Sequence, residues 1–151
     1  MLPFNLTSIL KNGTIKRITE DIIMEAGKVF TIEAKVTEND TAKVFGSGEL
    51  EVLATPKMIA LMEMASYKCI ADELEEGATT VGTYLDVKHL AATPVGMGVR
   101  VESTLTSAEG RKLTFSVKAY DESGIIGEGT HERFIVYSEK FTAKTYAKLN
   151  K

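Results

Sequence analysis

Cysteine, tryptophan and proline are scarce in this sequence: its 151 residues include one cysteine, no tryptophan and three prolines. A single cysteine excludes a disulfide framework and a multi-cysteine metal site, and it is typical of proteins from a reducing compartment. We therefore expect a cytoplasmic protein in which Cys69 packs in the core.

Long apolar runs are also missing. No window approaches the roughly 18 uninterrupted apolar residues that a membrane-spanning helix needs, so the sequence predicts no membrane partner. Residues 1–17 have no basic region ahead of an apolar run and no small-residue cleavage site. They therefore do not resemble a signal peptide.

Positive charge is not in excess either, since the formal net charge is −3. Proteins whose main partner is nucleic acid or an anionic membrane carry a basic excess, so both partners are disfavoured. A small anionic ligand could still bind at a local basic cluster. With 44% hydrophobic and 26% charged residues, the composition is that of one soluble globular domain, which we expect to span residues 1–151.

The spacing of apolar residues predicts two helices among several strands. A helix of about 20 residues begins at Thr55 and ends before Gly77, and its apolar residues cover more than one face, so we expect it to be buried. A short surface helix is expected in residues 139–151. The predicted strands cover residues 29–36, 44–53, 80–93, 98–108, 111–121 and 124–138.

The order of these elements predicts an α+β fold. Short connections after the long helix imply that the last four strands are antiparallel neighbours. One long apolar helix is buried most fully when a single sheet curls over it. A curved antiparallel sheet wrapped around one long buried helix is the hot-dog fold, which we expect here.

Glu63 and His89 are unusual for their surroundings. Glu63 lies in the most apolar stretch of the predicted helix, where it either faces solvent on a polar stripe beside Ser66 and Tyr67 or serves a function, because an unpaired buried carboxylate costs several kcal/mol. His89 ends a row of alternate strand residues that is the more apolar of the two and should face the helix. It is either a core histidine bonded to a backbone carbonyl or an acid–base group. The row comprises Val81, Thr83, Leu85, Val87, His89 and Ala91.

Thr55 directly precedes Pro56, so its hydroxyl is expected to cap the helix N-terminus. It would also lie beside free amides and the positive end of the helix dipole, which stabilise oxyanions. Thr55 and Glu63 are separated by roughly 12 Å of helix axis, a gap that one imidazole could nearly bridge. Otherwise one member comes from a partner subunit, or Thr55 lies on a loop folded back over the helix.

From about Val52 almost to the C-terminus, the chain resembles the fluoroacetyl-CoA thioesterase-like family of hot-dog proteins. The similar stretches are residues 54–63, residues 81–89, Ala-Ala-Thr-Pro at 91–94 and Gly-Thr-His-Glu-Arg at 129–133. The family's catalytic threonine, glutamate and histidine have the same spacing, which implies catalytic roles for Thr55, Glu63 and His89. A family glycine placed at the site corresponds to Gly82, where the missing side chain lets backbone approach a thioester.

The chain departs from this family at two places. Pro56 stands where the family member has glycine, and proline has no N–H to offer an oxyanion. Residues 39–53 align poorly with the aromatic lid associated with fluoroacetyl selectivity. The resemblance therefore implies hydrolysis of a small or medium acyl-CoA thioester without implying that particular acyl group.

Two classes of function are open. In an enzyme, Glu63 or Thr55 attacks the acyl carbon or orients water, His89 relays protons, and amides at the helix N-terminus and near Gly82 stabilise the oxyanion, without a metal or redox cofactor. The alternative is a non-catalytic acyl-CoA-binding or regulatory domain, or a hot-dog protein of other chemistry such as a dehydratase. A binding module has no need of a carboxylate and an imidazole in apolar surroundings, so the three residues favour the enzyme.

The remaining expectations concern binding. The resemblance implies a homodimer with a substrate channel between subunits, and pairing would also protect sheet edges. We expect Arg111 and Lys112 together to bind CoA phosphates, with Lys88, Arg100 and Arg133 as further candidate cations; for any one of these residues the alternative is ordinary surface charge that keeps the protein soluble. On its strand, His131 shares a face with glycines and Arg133, and we interpret that face as mostly solvated or as a dimer contact.

Overall fold

Five strands and one long helix form the framework of the computed structural model, which describes residues 24–151. The expectation about a signal peptide in residues 1–17 lies outside the described residues. Between residues 24 and 151, no helix is long and apolar enough to cross a membrane. The strands are β1 (Val29–Lys35), β2 (Ala78–His89), β3 (Gly98–Glu109), β4 (Lys112–Asp121) and β5 (Gly124–Tyr137), and the helices are α1 (Ala42–Phe45), α2 (Thr55–Ile70) and α3 (Ser138–Tyr146).

The strands form one antiparallel sheet in the order β1-β3-β4-β5-β2. The prediction that β2 and β3 are neighbours is wrong, because β2 pairs with β5 at the far edge. Residues 90–97 instead carry the chain past the β4–β5 turn. This connection is fixed by backbone hydrogen bonds in which Leu90 donates to the carbonyl of Ile126 and Gly96 donates to that of Val36.

One face of the sheet packs against α2, which confirms the predicted hot-dog arrangement. The helix buries Met58, Leu61, Met62, Ala65, Ser66, Cys69 and Ile70. Cys69 lies in the core as expected. Ser66 does not lie on a polar stripe, because its hydroxyl is buried and bonded to Ser103 and to the Met62 carbonyl.

The predicted strand over residues 44–53 is wrong. Its first residues belong to α1, whose N-terminus is capped by the Thr41 hydroxyl, which accepts from the amide of Val44. Gly46 ends this helix with φ of 71°, a left-handed conformation that favours glycine. The apolar residues that suggested a strand, Val44, Phe45 and Leu50, are exposed.

A β-bulge in β2 reverses part of the predicted face. Gly82 pairs with Arg133 and Tyr84 pairs with Glu132, so Thr83 is an extra residue. Val81 and Thr83 therefore do not share the helix-facing side with Leu85 and the residues after it, contrary to the prediction. The bulge is what puts Gly82 and His89 on the same side, although they are an odd number of residues apart.

Candidate active site

Thr55 and His89 form a direct hydrogen bond at the start of α2. Thr55 Oγ1 lies 2.6 Å from His89 Nδ1. The prediction that Thr55 caps the helix is wrong: Ala54 is the capping residue and has the extended backbone, while Thr55 is the first helical residue. Its hydroxyl is therefore free to bond the imidazole at the end of β2.

The other ring nitrogen of His89, Nε2, is buried and has no hydrogen-bond partner within residues 24–151. Burial lowers the pKa of His89 below the usual histidine value, against an opposite effect of the backbone at Ala91. The imidazole is accordingly neutral at neutral pH. A neutral imidazole beside a hydroxyl can accept its proton.

The first turn of α2 adds polar groups to this site. Pro56 has no N–H, and the amide of Met58 donates to the carbonyl of Ala54. The amides of Thr55 and Lys57 have no acceptor inside the helix because they belong to its first turn. These two amides and the positive end of the dipole favour negative charge beside the Thr55 hydroxyl.

Glu63 lies two turns further along α2, half-buried against Gly82. A Cβ atom at Gly82 would lie 2.9 Å from Glu63 Oε1, 3.2 Å from His131 Cε1 and 3.6 Å from an Arg133 guanidinium nitrogen. Only a glycine leaves this space open, so the Glu63 carboxylate, an imidazole and a guanidinium meet at the backbone of β2.

The interpretation of the face of His131 and Arg133 as mostly solvated or as a dimer contact is wrong, since both side chains are buried within one chain. Arg133 donates through Nε to the hydroxyl of Thr80 at 2.8 Å and through Nη2 to its carbonyl at 2.9 Å. Its Nη1 lies 3.2 Å from His131 Nε2, and His131 Nδ1 lies 2.8 Å from the Tyr84 carbonyl. Because a guanidinium only donates and a carbonyl only accepts, His131 is neutral with its proton on Nδ1.

Burial lowers the pKa of His131 and of Arg133, while the negative charge of Glu63 acts in the opposite direction on both. The Glu63 carboxylate therefore offsets part of the cost of burying these groups. The glycine beside these two side chains is Gly82 on the neighbouring strand β2, so no pattern within β5 indicates that they are buried.

Two clusters thus line the space between α2 and the sheet. One is the Thr55–His89 pair and the other is Glu63 with Gly82, His131 and Arg133. Within the described chain, Glu63 makes no hydrogen bond with Thr55 or with His89. The sequence named all three residues and placed His89 on the side of the sheet that faces the helix, but the described chain does not join the three into a single hydrogen-bonded group.

Comparison with known proteins assigns the chain that carries these two clusters to a family. Residues 36–139 match the model of the fluoroacetyl-CoA-specific thioesterase family, which is more than half of the chain. The chain belongs to this family. The family resemblance found in the sequence is thereby confirmed.

Individual members of the thioesterase family agree with this assignment. The fluoroacetyl-CoA thioesterase of Streptantibioticus cattleyicolor is 47% identical over 98 residues, which are 65% of this chain and 70% of that protein. A variant of the fluoroacetyl-CoA-specific thioesterase, solved in complex with fluoroacetate and CoA, superimposes with a TM-score of 0.75 at 40% identity, covering 78% of this chain and 99% of that one. A thioesterase superfamily member from Thermus thermophilus gives 0.76 at 34% identity, over 83% and 93% of the two chains.

In this thioesterase-family chain, Arg111 and Lys112 lie apart from the Thr55–His89 pair. They follow the β3–β4 turn, whereas His89 pairs with Gly127 near the other end of the sheet. The Arg111 guanidinium lies over the ring of Tyr137, and Lys112 Nζ is 3.1 Å from a Glu132 carboxylate oxygen. Both side chains are exposed at the rim of the molecule.

Proposed function

We propose that the protein is an acyl-CoA thioesterase that hydrolyses a small or medium acyl-CoA to the free acid and CoA. The observation that carries this function is the 2.6 Å contact between Thr55 Oγ1 and the half-buried, neutral imidazole of His89. Membership of a thioesterase family supports it, and nothing in the family match favours the non-catalytic alternative.

The single cysteine supports a cytoplasmic location.

The Thr55–His89 pair activates the attacking oxygen. His89 Nδ1 accepts the proton of the Thr55 hydroxyl, or of a water that Thr55 holds, as that oxygen bonds to the acyl carbon. The carbon–sulfur bond then breaks, and the CoA thiolate leaves with the proton from His89. If Thr55 itself attacks, a water molecule hydrolyses the acyl-threonine in a second, equivalent step.

Glu63 is the other group able to attack or to act as base, since its carboxylate faces the site beside Gly82. The backbone near Gly82 and the amides of Thr55 and Lys57 are positioned to stabilise the oxyanion. Pro56 contributes no donor, so this oxyanion site has one amide fewer than an ordinary helix N-terminus supplies.

The test is release of free CoA, detected with a thiol reagent, from a panel of acyl-CoA esters of increasing chain length. We expect catalytic turnover that is fastest for the short and medium esters. Saturable binding of an ester without release of CoA would contradict the enzyme and support a binding module. Rapid quenching followed by mass measurement then assigns the nucleophile: an acyl adduct lost in Thr55→Ala identifies Thr55, and one lost in Glu63→Ala identifies Glu63.

We also propose that the active unit is a homodimer formed through β2. This strand is a sheet edge, and it exposes Tyr84 by 49% and Leu85 by 40%. Exposed apolar edge strands are sites of strand pairing. Antiparallel pairing centred on Asp86, with Thr83 as the extra residue of the bulge, sets Gly82 opposite the partner's His89. The Glu63 cluster of one subunit then meets the Thr55–His89 pair of the other, which accounts for their separation within one chain.

Mixing two inactive variants tests this arrangement. If each site takes Glu63 from one subunit and His89 from the other, a mixed dimer of Glu63→Ala and His89→Ala chains contains one intact site. An equal mixture, unfolded and refolded together, should then recover about a quarter of native activity, because half of the dimers are mixed and one of their two sites is intact. No recovery, or a single-chain mass by light scattering, would contradict the shared site.

The role of Arg111 and Lys112 in binding CoA phosphates is a proposal as well, supported by their exposure at the rim. Replacing both with alanine should raise KM for an acyl-CoA more than KM for the matching acyl-pantetheine, which lacks the nucleotide. Equal effects on the two substrates would remove the phosphate-binding role. Lys118→Ala, which neutralises another exposed strand lysine, is the control for the general loss of positive charge.

A further inference from the structure

Thr93 is a polar residue that is completely buried in the connection between β2 and β3. It belongs to the Ala-Ala-Thr-Pro stretch at 91–94, to which the proposed chemistry assigns no role. Its hydroxyl donates to Asp121 Oδ2 at 2.9 Å, and its carbonyl accepts from the amide of Leu53 at 2.9 Å. Asp121 is itself held in the β4–β5 turn, where its other carboxylate oxygen accepts from the amide of Ser123 at 2.8 Å.

The backbone bond between Leu53 and Thr93 closes a ring of chain segments and hydrogen bonds that includes both Thr55 and His89. From Thr93 the chain runs back to His89, and the amides of Leu90 and Ala91 on the way donate to the Ile126 carbonyl. In the other direction, the Thr93 carbonyl accepts from the amide of Leu53, which lies two residues before Thr55. The 2.6 Å contact between Thr55 and His89 closes it. Thr93 is thus the point where the strand that ends at His89 is tied to the segment that leads into α2.

We propose that Thr93 and Asp121 are positioning residues that hold the hydroxyl of Thr55 against the imidazole of His89. The side-chain bond between them fixes the connection to the β4–β5 turn, and the Thr93 carbonyl transmits that position to the segment leading to Thr55. The inference rests on the proposed function, because it assigns a purpose to the Thr55–His89 geometry.

The expected effect is on turnover rather than on substrate binding. The side chains of Thr93 and Asp121 hydrogen-bond to each other and not to Thr55 or His89, so neither takes part in the proton transfer. A displacement of about 1 Å in a reacting group, caused from a distance, can cost 10²-fold in rate. The loss of one buried hydroxyl bond affects stability as well, so the test must separate the two effects.

The decisive series is Thr93→Val, which keeps the branched shape without the hydroxyl, and Thr93→Ser, which keeps the hydroxyl. Ser103→Ala is the matched control, since it also removes a buried hydroxyl bond, here to Ser66, from a position outside the ring. We expect kcat to fall by about 10-fold to 10²-fold in Thr93→Val with KM little changed, and to return in Thr93→Ser. Asp121→Ala, which removes the same bond from the turn, should reproduce the loss if Thr93→Val folds poorly.

Nuclear magnetic resonance gives a readout that does not depend on turnover. The chain has two histidines, so the titration of His89 can be followed directly. In Thr93→Val the pKa of His89 should rise towards its usual value, because a displaced imidazole is more hydrated, whereas Ser103→Ala should leave it unchanged. If the native protein releases no CoA yet the titration shifts in this way, the proposed function fails and the positioning role stands.

A second outcome concerns additivity. Thr93→Val should cause no further loss of kcat in a protein that already carries His89→Ala, because the proposed role acts through that imidazole. An unchanged kcat in Thr93→Val, an equal loss in Ser103→Ala, or an unchanged His89 titration would each overturn the inference.

Discussion

At the scale of single residues, the absence of a side chain at Gly82 determines where the Glu63 carboxylate lies. A Cβ there would come within 2.9 Å of Glu63 Oε1 and 3.2 Å of the His131 ring. The carboxylate is the flexible end of its side chain and can move away, while the ring is fixed by two hydrogen bonds. A substitution at Gly82 therefore displaces Glu63 rather than unfolding the strand.

We predict that Gly82→Ala stays folded and loses activity. Displacement of Glu63 should lower kcat by at least about 10-fold, the range seen when a positioned group is moved, with a change in melting temperature of only a few degrees. Steady-state kinetics and thermal denaturation measure the two effects. Thr83→Ala, at the exposed extra residue of the bulge, is the control and should change neither. Normal turnover in Gly82→Ala would show that Glu63 does not act at this position.

His131 makes the stability of the protein sensitive to acid. Burial, with the nearby charge of Arg133, lowers the pKa of His131 in the folded state although the hydrogen bond to Tyr84 opposes this. Below the usual histidine pKa the unfolded chain therefore binds more protons than the folded one. The free energy of unfolding should accordingly fall as the pH is lowered through that range.

Urea denaturation at about pH 7.5 and about pH 5.5, on either side of the usual histidine pKa, measures this dependence. We predict a clear loss of stability at the lower pH in the native protein and a smaller pH-dependent loss in His131→Gln, whose side chain does not titrate. The variant is less stable at both pH values, so the comparison is between slopes. Equal slopes would show that His131 keeps its ordinary pKa in the fold.

At the scale of secondary-structure elements, glycines in β5 set how closely β2 and α2 approach. A Cβ at Gly129 would collide with the backbone carbonyl of Asp86 in β2, which cannot move without breaking strand pairing. A Cβ at Gly127 would lie 2.6 Å from the sulfur of Met58, at the flexible end of a side chain, and 3.1 Å from the backbone carbonyl of Lys88, a tight contact that needs a much smaller shift than the one at Gly129. The two positions therefore differ in how the structure can relax.

We predict that Gly129→Ala lowers the free energy of unfolding by about 3 kcal/mol or more and that Gly127→Ala lowers it by about 1 kcal/mol, the upper and lower parts of the range for overpacking. Urea denaturation of the two variants beside the native protein gives both values. Similar losses would show that the β2 backbone yields as readily as the Met58 side chain.

Most elements were predictable because their pattern is local. The helix from Thr55 and the three hairpin strands after residue 98 follow from periodicity and turn residues. The conformation of residues 44–53 was not predictable in this way, because Val44 and Phe45 are exposed. The Thr41 cap and Gly46, rather than burial, determine the local structure there. The bulge at Thr83 was not predicted either, and it alone determines that Gly82 faces the helix.

At the scale of the whole molecule, the candidate site depends on pairings that no local pattern encodes. The spacing of Thr55, Glu63 and His89 identified the polar residues, and the family resemblance supplied their roles. The position of β2 beside β5 follows from the crossing of residues 90–97, and it brings His131 and Arg133 under α2. The residues that share their strand face do not show this pairing, so the sequence alone predicts a mostly solvated face or a dimer contact for the two residues. The dimer and the single domain over residues 1–151 stay predictions.

The central claim is that His89 acts as the proton-transferring group of a thioesterase, and kinetics of His89→Ala with and without Glu63→Ala test it most directly. A positioned acid–base group contributes about 10² to 10⁴-fold. We predict that His89→Ala stays folded, loses on the order of 10²-fold or more in kcat with KM little changed, and loses little more when Glu63→Ala is added. Near-normal turnover in His89→Ala, or a loss of activity that only follows a loss of folded protein, would show instead that His89 is a structural core residue and that the proposed mechanism is wrong.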